Sequence, residues 1–123
     1  MFLDTHAAVF LHGGLLGEFS AEGRKLLETE SLFLCPMAGL ELQYLFEIGR
    51  VRYTAEQILK DLRLDISLTI LDRHWQVIME KSWEVTWTRD PFDRIIAAQA
   101  LVENQKLLTR DGNIRKHCPL AVW

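Results

Sequence analysis

Apolar residues fall along this chain in short blocks whose period changes from one block to the next. Met1-Phe-Leu-Asp4 is an apolar run closed by an acid. Thr5 to Leu16 is largely apolar and runs into Gly13-Gly14, which predicts a helix with a glycine loop near its end. Ser20-Ala-Glu-Gly23 supplies a Ser cap ahead of Leu26-Leu27. Ser31 to Cys35 reads as a buried strand. Pro36 suits the first position of a helix that reaches Gly49, where glycine suits the C-cap. Thr54-Ala-Glu-Gln57 has capping-box spacing for a helix running to about Leu64. Ile66 to Leu71 is β-rich, and Asp72 to about Ser82 is an amphipathic helix. Asp90-Pro91 opens a helix to about Asn104. Lys106–Thr109 reads as a strand, Asp111–Lys116 as a short helix and Leu120–Trp123 as a last strand.

Strands thus alternate with helices, and the strands are short and apolar on both faces. That pattern predicts an α/β protein, a three-layer α/β/α sandwich around a central, mainly parallel sheet. At 123 residues the chain is expected to be a single domain spanning 1–123. Its 49% hydrophobic and 25% charged residues match an ordinary globular protein. No apolar run is long enough for a membrane span, no signal pattern opens the chain, and Cys35 and Cys118 form no C-x-x-C pair. A cytoplasmic protein with two buried thiols is the expectation.

A net charge of −3 argues against a general polyanion binder, so no direct DNA readout is expected from this chain alone. The region from Glu84 onward is richer in basic residues, with Arg89, Arg94, Lys106, Arg110, Arg115 and Lys116, so a local nucleic-acid contact there remains open. Neither a G-x-G-x-x-G nor a P-loop motif occurs.

In open parallel sheets ligands bind beyond the C-terminal strand ends. Asp4 closes the first strand, Asp111 follows the Lys106–Thr109 strand, and Asp90 and Asp93 open the helix after the Trp83–Thr88 segment. Each of Asp4, Asp90 and Asp111 is equally placed to cap the helix behind it. Glu41 is harder to read as structural. On a helical wheel Met37, Ala38, Leu40, Leu42, Tyr44, Leu45, Phe46 and Ile48 form one wide apolar arc with Glu41 near its middle. A carboxylate facing a core needs a partner, either a cation or a buried Arg. Asp93 lies on a helix that is apolar almost all round. Clustered carboxylates make a hard, oxygen-only site suited to Mg²⁺ or Mn²⁺, while His6, His12, His74 and His117 lack zinc-like spacing.

Leu3-Asp4-Thr5-His6, Leu40-Glu41-Leu42, Asp90-Pro91-Phe92-Asp93-Arg94 followed by Ile96-Ala97-Ala98-Gln99-Ala100, and Leu108-Thr109-Arg110-Asp111 together resemble the PIN domain, and within it VapC-type toxins of toxin–antitoxin pairs. The resemblance spans essentially the whole chain. It implies a metal-dependent endoribonuclease that forms a homodimer and is neutralised by a VapB-like antitoxin. It also implies catalytic, Mg²⁺- or Mn²⁺-holding roles for Asp4, Glu41, Asp93 and Asp111, with Asp90 a further candidate ligand and Thr5 and Thr109 as supporting hydroxyls. Arg89, Arg94, Arg110, Arg115 and Lys116 are candidates to hold RNA phosphates. The alternative is an inactive PIN-like scaffold. A receiver-like module lacks its acidic pair here, and a haloacid-dehalogenase-like phosphatase lacks its D-x-D.

Overall fold

The computed structural model describes residues 1–123. Its strands have two residues each: β1 (Phe2–Leu3), β2 (Phe33–Leu34), β3 (Thr69–Ile70), β4 (Leu107–Leu108) and β5 (Ala121–Val122). All are parallel, in the order β3-β2-β1-β4-β5, with Phe2 opposite Phe33 and Leu107, and Leu3 opposite Leu34 and Leu108. Phe2, Leu3, Leu34, Leu107 and Leu108 are fully buried, as strands covered on both faces require. The edge strands β3 and β5 are more exposed.

The connecting helices are α1 (Thr5–His12), α2 (Ala21–Thr29), α3 (Pro36–Glu47), α4 (Ala55–Ile66), α5 (Trp75–Glu84), α6 (Pro91–Val102) and α7 (Gly112–His117), with a 3₁₀ turn at Leu16–Glu18. The strand order runs outward one way from β1 to β3 and the other way from β4 to β5. Right-handed crossovers therefore put the two sets of helices on opposite faces. Between β1 and β4 the order reverses, which opens the crevice where α/β folds hold ligands.

Local signals account for several helix starts. The Ser20 hydroxyl accepts the Gly23 N–H at 3.0 Å, and Thr54 and Gln57 complete their capping box. Gly23 is also a packing requirement. A Cβ there would stand 3.1 Å from the Trp123 backbone, so any side chain at that position would push α2 and the end of β5 apart by a few tenths of an ångström.

The sequence expectations differ from the structure in four places. The fifth helix starts at Trp75 instead of Asp72, because Arg73 and His74 are drawn onto Glu103 at the end of α6, at 2.6 and 3.0 Å. His74 then turns in the left-handed region, at φ 57°. Helix α4 continues through Ile66, shortening the β-rich segment to Thr69–Ile70. Trp83–Thr88 pairs with no strand; it is the end of α5 and a loop, so Asp90 and Asp93 do not follow a strand end. Finally, the wide apolar arc of α3 is not all core. Ala38 and Leu42 are buried, whereas Leu40, Tyr44 and Ile48 are 56%, 47% and 49% exposed.

Candidate metal centre

Three elements from distant parts of the chain end at the β1/β4 crevice, and each begins its helix with an aspartate. Asp4 caps α1, its Oδ1 accepting the Ala7 N–H at 2.8 Å. Asp90 caps α6, its Oδ1 accepting from Phe92 N at 2.8 Å and Asp93 N at 3.2 Å. Asp111 caps α7, its Oδ1 accepting from Asn113 N and Ile114 N, both at 2.8 Å. The capping and clustering readings of these acids therefore coincide. Three helix N-termini converge, and their partial positive charge offsets some of the repulsion between the carboxylates.

Glu41 comes in from α3 and Asp93 from the first turn of α6. Asp4, Thr5, His6, Glu41, Asp90, Asp93 and Asp111, with Ile96 and Ile114, line one cavity of about 180 Å³. All four expected acids and Asp90 are thus brought together. The two supporting hydroxyls are placed as expected. Thr5 Oγ1 donates to Glu41 Oε2, and Thr109 Oγ1 donates to Asp4 Oδ2. Thr109 also accepts the Asp111 N–H at 3.1 Å, so one buried hydroxyl orients two of the acid-bearing segments.

No buried arginine answers Glu41. None of the six ion pairs of the structure involves any of the five acids at the cavity. Their protonation equilibria reflect this. Burial, and then the carboxylates of Asp90, Asp111, Glu41 and Asp4, push the Asp93 carboxyl up to about 7. Burial also raises Asp4 and Glu41, against the pull of the Thr109 and Thr5 hydroxyls respectively. No three of these side chains converge tightly enough to enclose an ion by themselves. An oxygen-only, net-anionic and open set of this kind fits a hard dication that keeps waters and takes ligands from a phosphate, the habit of Mg²⁺. It fits Zn²⁺ poorly, because His6 is the one nitrogen donor side chain in the lining and no thiolate is present.

The basic candidates are mostly elsewhere. Arg110 lies next to the acids, paired with Glu18 at 2.5 Å. Arg89 and Arg94 donate to the Thr86 and Thr88 carbonyls at 3.0 and 2.8 Å, and Arg115 and Lys116 are exposed on α7. His6, which the sequence marked only as lacking zinc-like spacing, lines the cavity. The signal for it was its place two residues beyond Asp4, at the start of a helix whose cap is in the site. Cys35 and Cys118 are buried and unbonded, and burial pushes the Cys35 thiol up to about 11.

The fold and the site together define a class: an open parallel α/β domain with an acidic crevice at its switch point. The chain belongs to the PIN domain family, which it matches over residues 1–118 and whose members are in general nucleases. Two solved structures are similar to it. VapBC2 from Rickettsia felis, bound to a DNA fragment from its promoter, is 19% identical with a TM-score of 0.68, over 98% of this chain and 94% of that one. A toxin–antitoxin complex from Klebsiella pneumoniae is 19% identical with a TM-score of 0.66, over 99% and 95%. At such identities the likeness concerns the fold. A comparison with curated proteins returns no match. No helix is long and apolar enough to cross a membrane.

Proposed function

We propose that this chain is a divalent-cation-dependent endoribonuclease, the VapC-like toxin of a type II toxin–antitoxin pair acting in the cytoplasm. The supporting observation is the ring of Asp4, Glu41, Asp90, Asp93 and Asp111 around one cavity, with no ion pair to any of them and the His6 imidazole as the one basic side chain in the lining. Keeping so many carboxylates together is unfavourable unless a cation joins them.

Asp4, Glu41, Asp93 and Asp111 would hold Mg²⁺ or Mn²⁺, with Asp90 primarily a cap. When bound, the ion supplies charge neutralisation, polarisation of the scissile phosphoryl group and a more acidic water. Thr5 and Thr109 hold Glu41 and Asp4 in one orientation. In the cation-free protein the Asp93 carboxyl is pushed up to about 7, so a cation binding there would displace a proton from it. Attack of water on phosphorus with cleavage of the P–O3′ bond, the 3′-oxygen leaving and taking up a proton, would give a 5′-phosphate and a 3′-hydroxyl. The intact set of acids speaks against the inactive-scaffold alternative.

A VapB-like antitoxin is the partner this reading requires, since an exposed nuclease endangers its own cell; a second copy of the chain is the expected oligomer. Leu45, Phe46, Ile58, Leu59 and Leu62 on α3 and α4 are buried or half-buried and leave little open apolar surface for an antitoxin. The exposed stripe of Leu40, Tyr44 and Ile48 beside Glu41 is the better docking face.

The test is cleavage of structured RNA by purified protein with Mg²⁺ or Mn²⁺, its loss in EDTA, and its absence in Asp93→Asn. Undiminished cleavage in EDTA by clean protein overturns the reading.

A further inference from the structure

Beside the acidic cavity lies a second one of about 270 Å³, lined by Asp4, His6, Phe10, Arg110 and Asp111. Asp4, His6 and Asp111 line both, so whatever fills the second cavity is continuous with whatever lies on the acids. The lining is mixed in a particular way. Arg110 is the only Lys or Arg lining either cavity. Phe10 supplies an aromatic wall, and it is fixed: its ring meets Phe19 edge-on at 6.1 Å and Trp123 at 6.2 Å, and those two rings stack on each other at 4.8 Å. His6 stands between the two cavities with an exposed imidazole.

We propose that this second cavity is a nucleotide subsite. It receives the unpaired nucleotide adjoining the scissile phosphodiester, with that nucleotide's own phosphate on Arg110 and its base between Phe10 and His6. The proposal rests on the ribonuclease reading above and says where the substrate strand runs. An RNA segment satisfies both cavities at once, because successive phosphates alternate with bases that pack on aromatic and imidazole rings. A purely acidic peptide would meet Asp4 and Asp111, and a purely basic one would meet Arg110.

Glu18 gives the subsite a built-in competitor. Its carboxylate holds the Arg110 guanidinium at 2.5 Å from the 3₁₀ turn behind the Gly13-Gly14 loop. Both side chains are about half exposed, so the pair is weak and can exchange for a phosphate, which a guanidinium binds through two parallel hydrogen bonds. The carboxylate thus stands in for the phosphate until substrate arrives.

Steady-state cleavage of a short unstructured oligoribonucleotide tests this, with thermal melting to confirm the fold of each variant. Arg110→Gln is expected to raise KM about 10-fold with kcat within about twofold, because it removes binding common to ground and transition states. Glu18→Gln is expected to lower KM about threefold, and to have no effect in an Arg110→Gln background, which separates loss of the competitor from a general change in charge. His6→Ala and Phe10→Leu are expected to change the preferred nucleotide at one position next to the cut. If the wild type cleaves and these variants leave KM and nucleotide preference unchanged, the subsite is overturned and the ribonuclease reading stands. Weakened binding of a protein partner by Arg110→Gln, with RNA cleavage unaltered, also overturns it. A wild type that cleaves no RNA with either cation overturns both.

Discussion

Thr109 Oγ1 donates to Asp4 Oδ2 across the junction of β4 and β1 and itself accepts the Asp111 N–H at 3.1 Å. This places the orientation of two candidate ligands in one side chain that is itself fully buried. Val is nearly the same shape as Thr but has no hydroxyl. Thr109→Val leaves a buried carboxylate oxygen and a backbone N–H without partners, at a cost of about 1–3 kcal/mol. We expect a lower melting temperature, a weaker response to Mg²⁺ and reduced cleavage, with Thr109→Ser recovering part of each. Unchanged Mg²⁺ titration in Thr109→Val would show that Asp4 does not depend on this bond.

Asp90 and Asp93 lie within one turn of each other and should behave differently. Asp90 is exposed and accepts two backbone N–H groups of α6, so Asp90→Ala should cost about 1 kcal/mol, measurable by thermal unfolding. Asp90→Asn keeps shape and capping capacity and should keep substantial cleavage activity. Asp93→Asn should fold but be nearly inactive, because a candidate ligand is gone. If Asp90→Asn is as inactive as Asp93→Asn, then Asp90 acts on the cation or its waters and capping is not its main role.

Those two aspartates also mark how far the sequence could be read. The Asp-Pro step, the Ser20 cap and the capping box at Thr54 are local signals, and each starts a helix where expected. The acids were legible because they sit at such starts or on an otherwise apolar helix. What the sequence could not carry is the set of contacts made between distant segments. The grip of Glu103 on Arg73 and His74 moved the start of α5. A helical wheel showed a broad apolar arc on α3 but not which part of it finds a neighbour. The pairing of Arg110 with Glu18 joins residues far apart in sequence and has no local signature.

The exposed part of that arc gives a prediction about partners. Leu40 and Ile48 are about half exposed or more, so Leu40→Lys and Ile48→Lys should change stability by no more than about 0.5 kcal/mol. Each should weaken binding of the antitoxin by about 1–2 kcal/mol, or roughly tenfold, if this stripe is the docking face. Calorimetric titration with the protein encoded beside this one measures it, and the double variant should remain toxic on co-expression. Undiminished affinity in the double variant would place the antitoxin on another surface.

The pH response of the cation-free protein follows from Asp93. Its carboxyl, ordinarily near 3.8, is pushed up to about 7 by burial and by the carboxylates of Asp90, Asp111, Glu41 and Asp4. Between those two values the folded chain holds a proton that the unfolded chain has lost. The slope of stability with pH is therefore negative there: the contribution is complete below the unfolded value and disappears as pH rises through about 7. Asp4 and Glu41 are raised as well and act in the same direction, whereas Glu30 and Glu103 are lowered and act oppositely at acid pH. The difference between wild type and Asp93→Asn isolates the one group. Without a cation the two should melt together at about pH 4, and Asp93→Asn should become progressively the more stable toward pH 8, because it lacks the repelling charge. Saturating Mg²⁺ should reverse that order at pH 8, since the wild-type cluster gains a ligand that the variant binds poorly. Melting curves at both pH values, with Mg²⁺ and with EDTA, decide it. Should the wild type stay the more stable at pH 8 in EDTA, Asp93 is held by something other than the repulsion described here, and its place in a cation site must be given up.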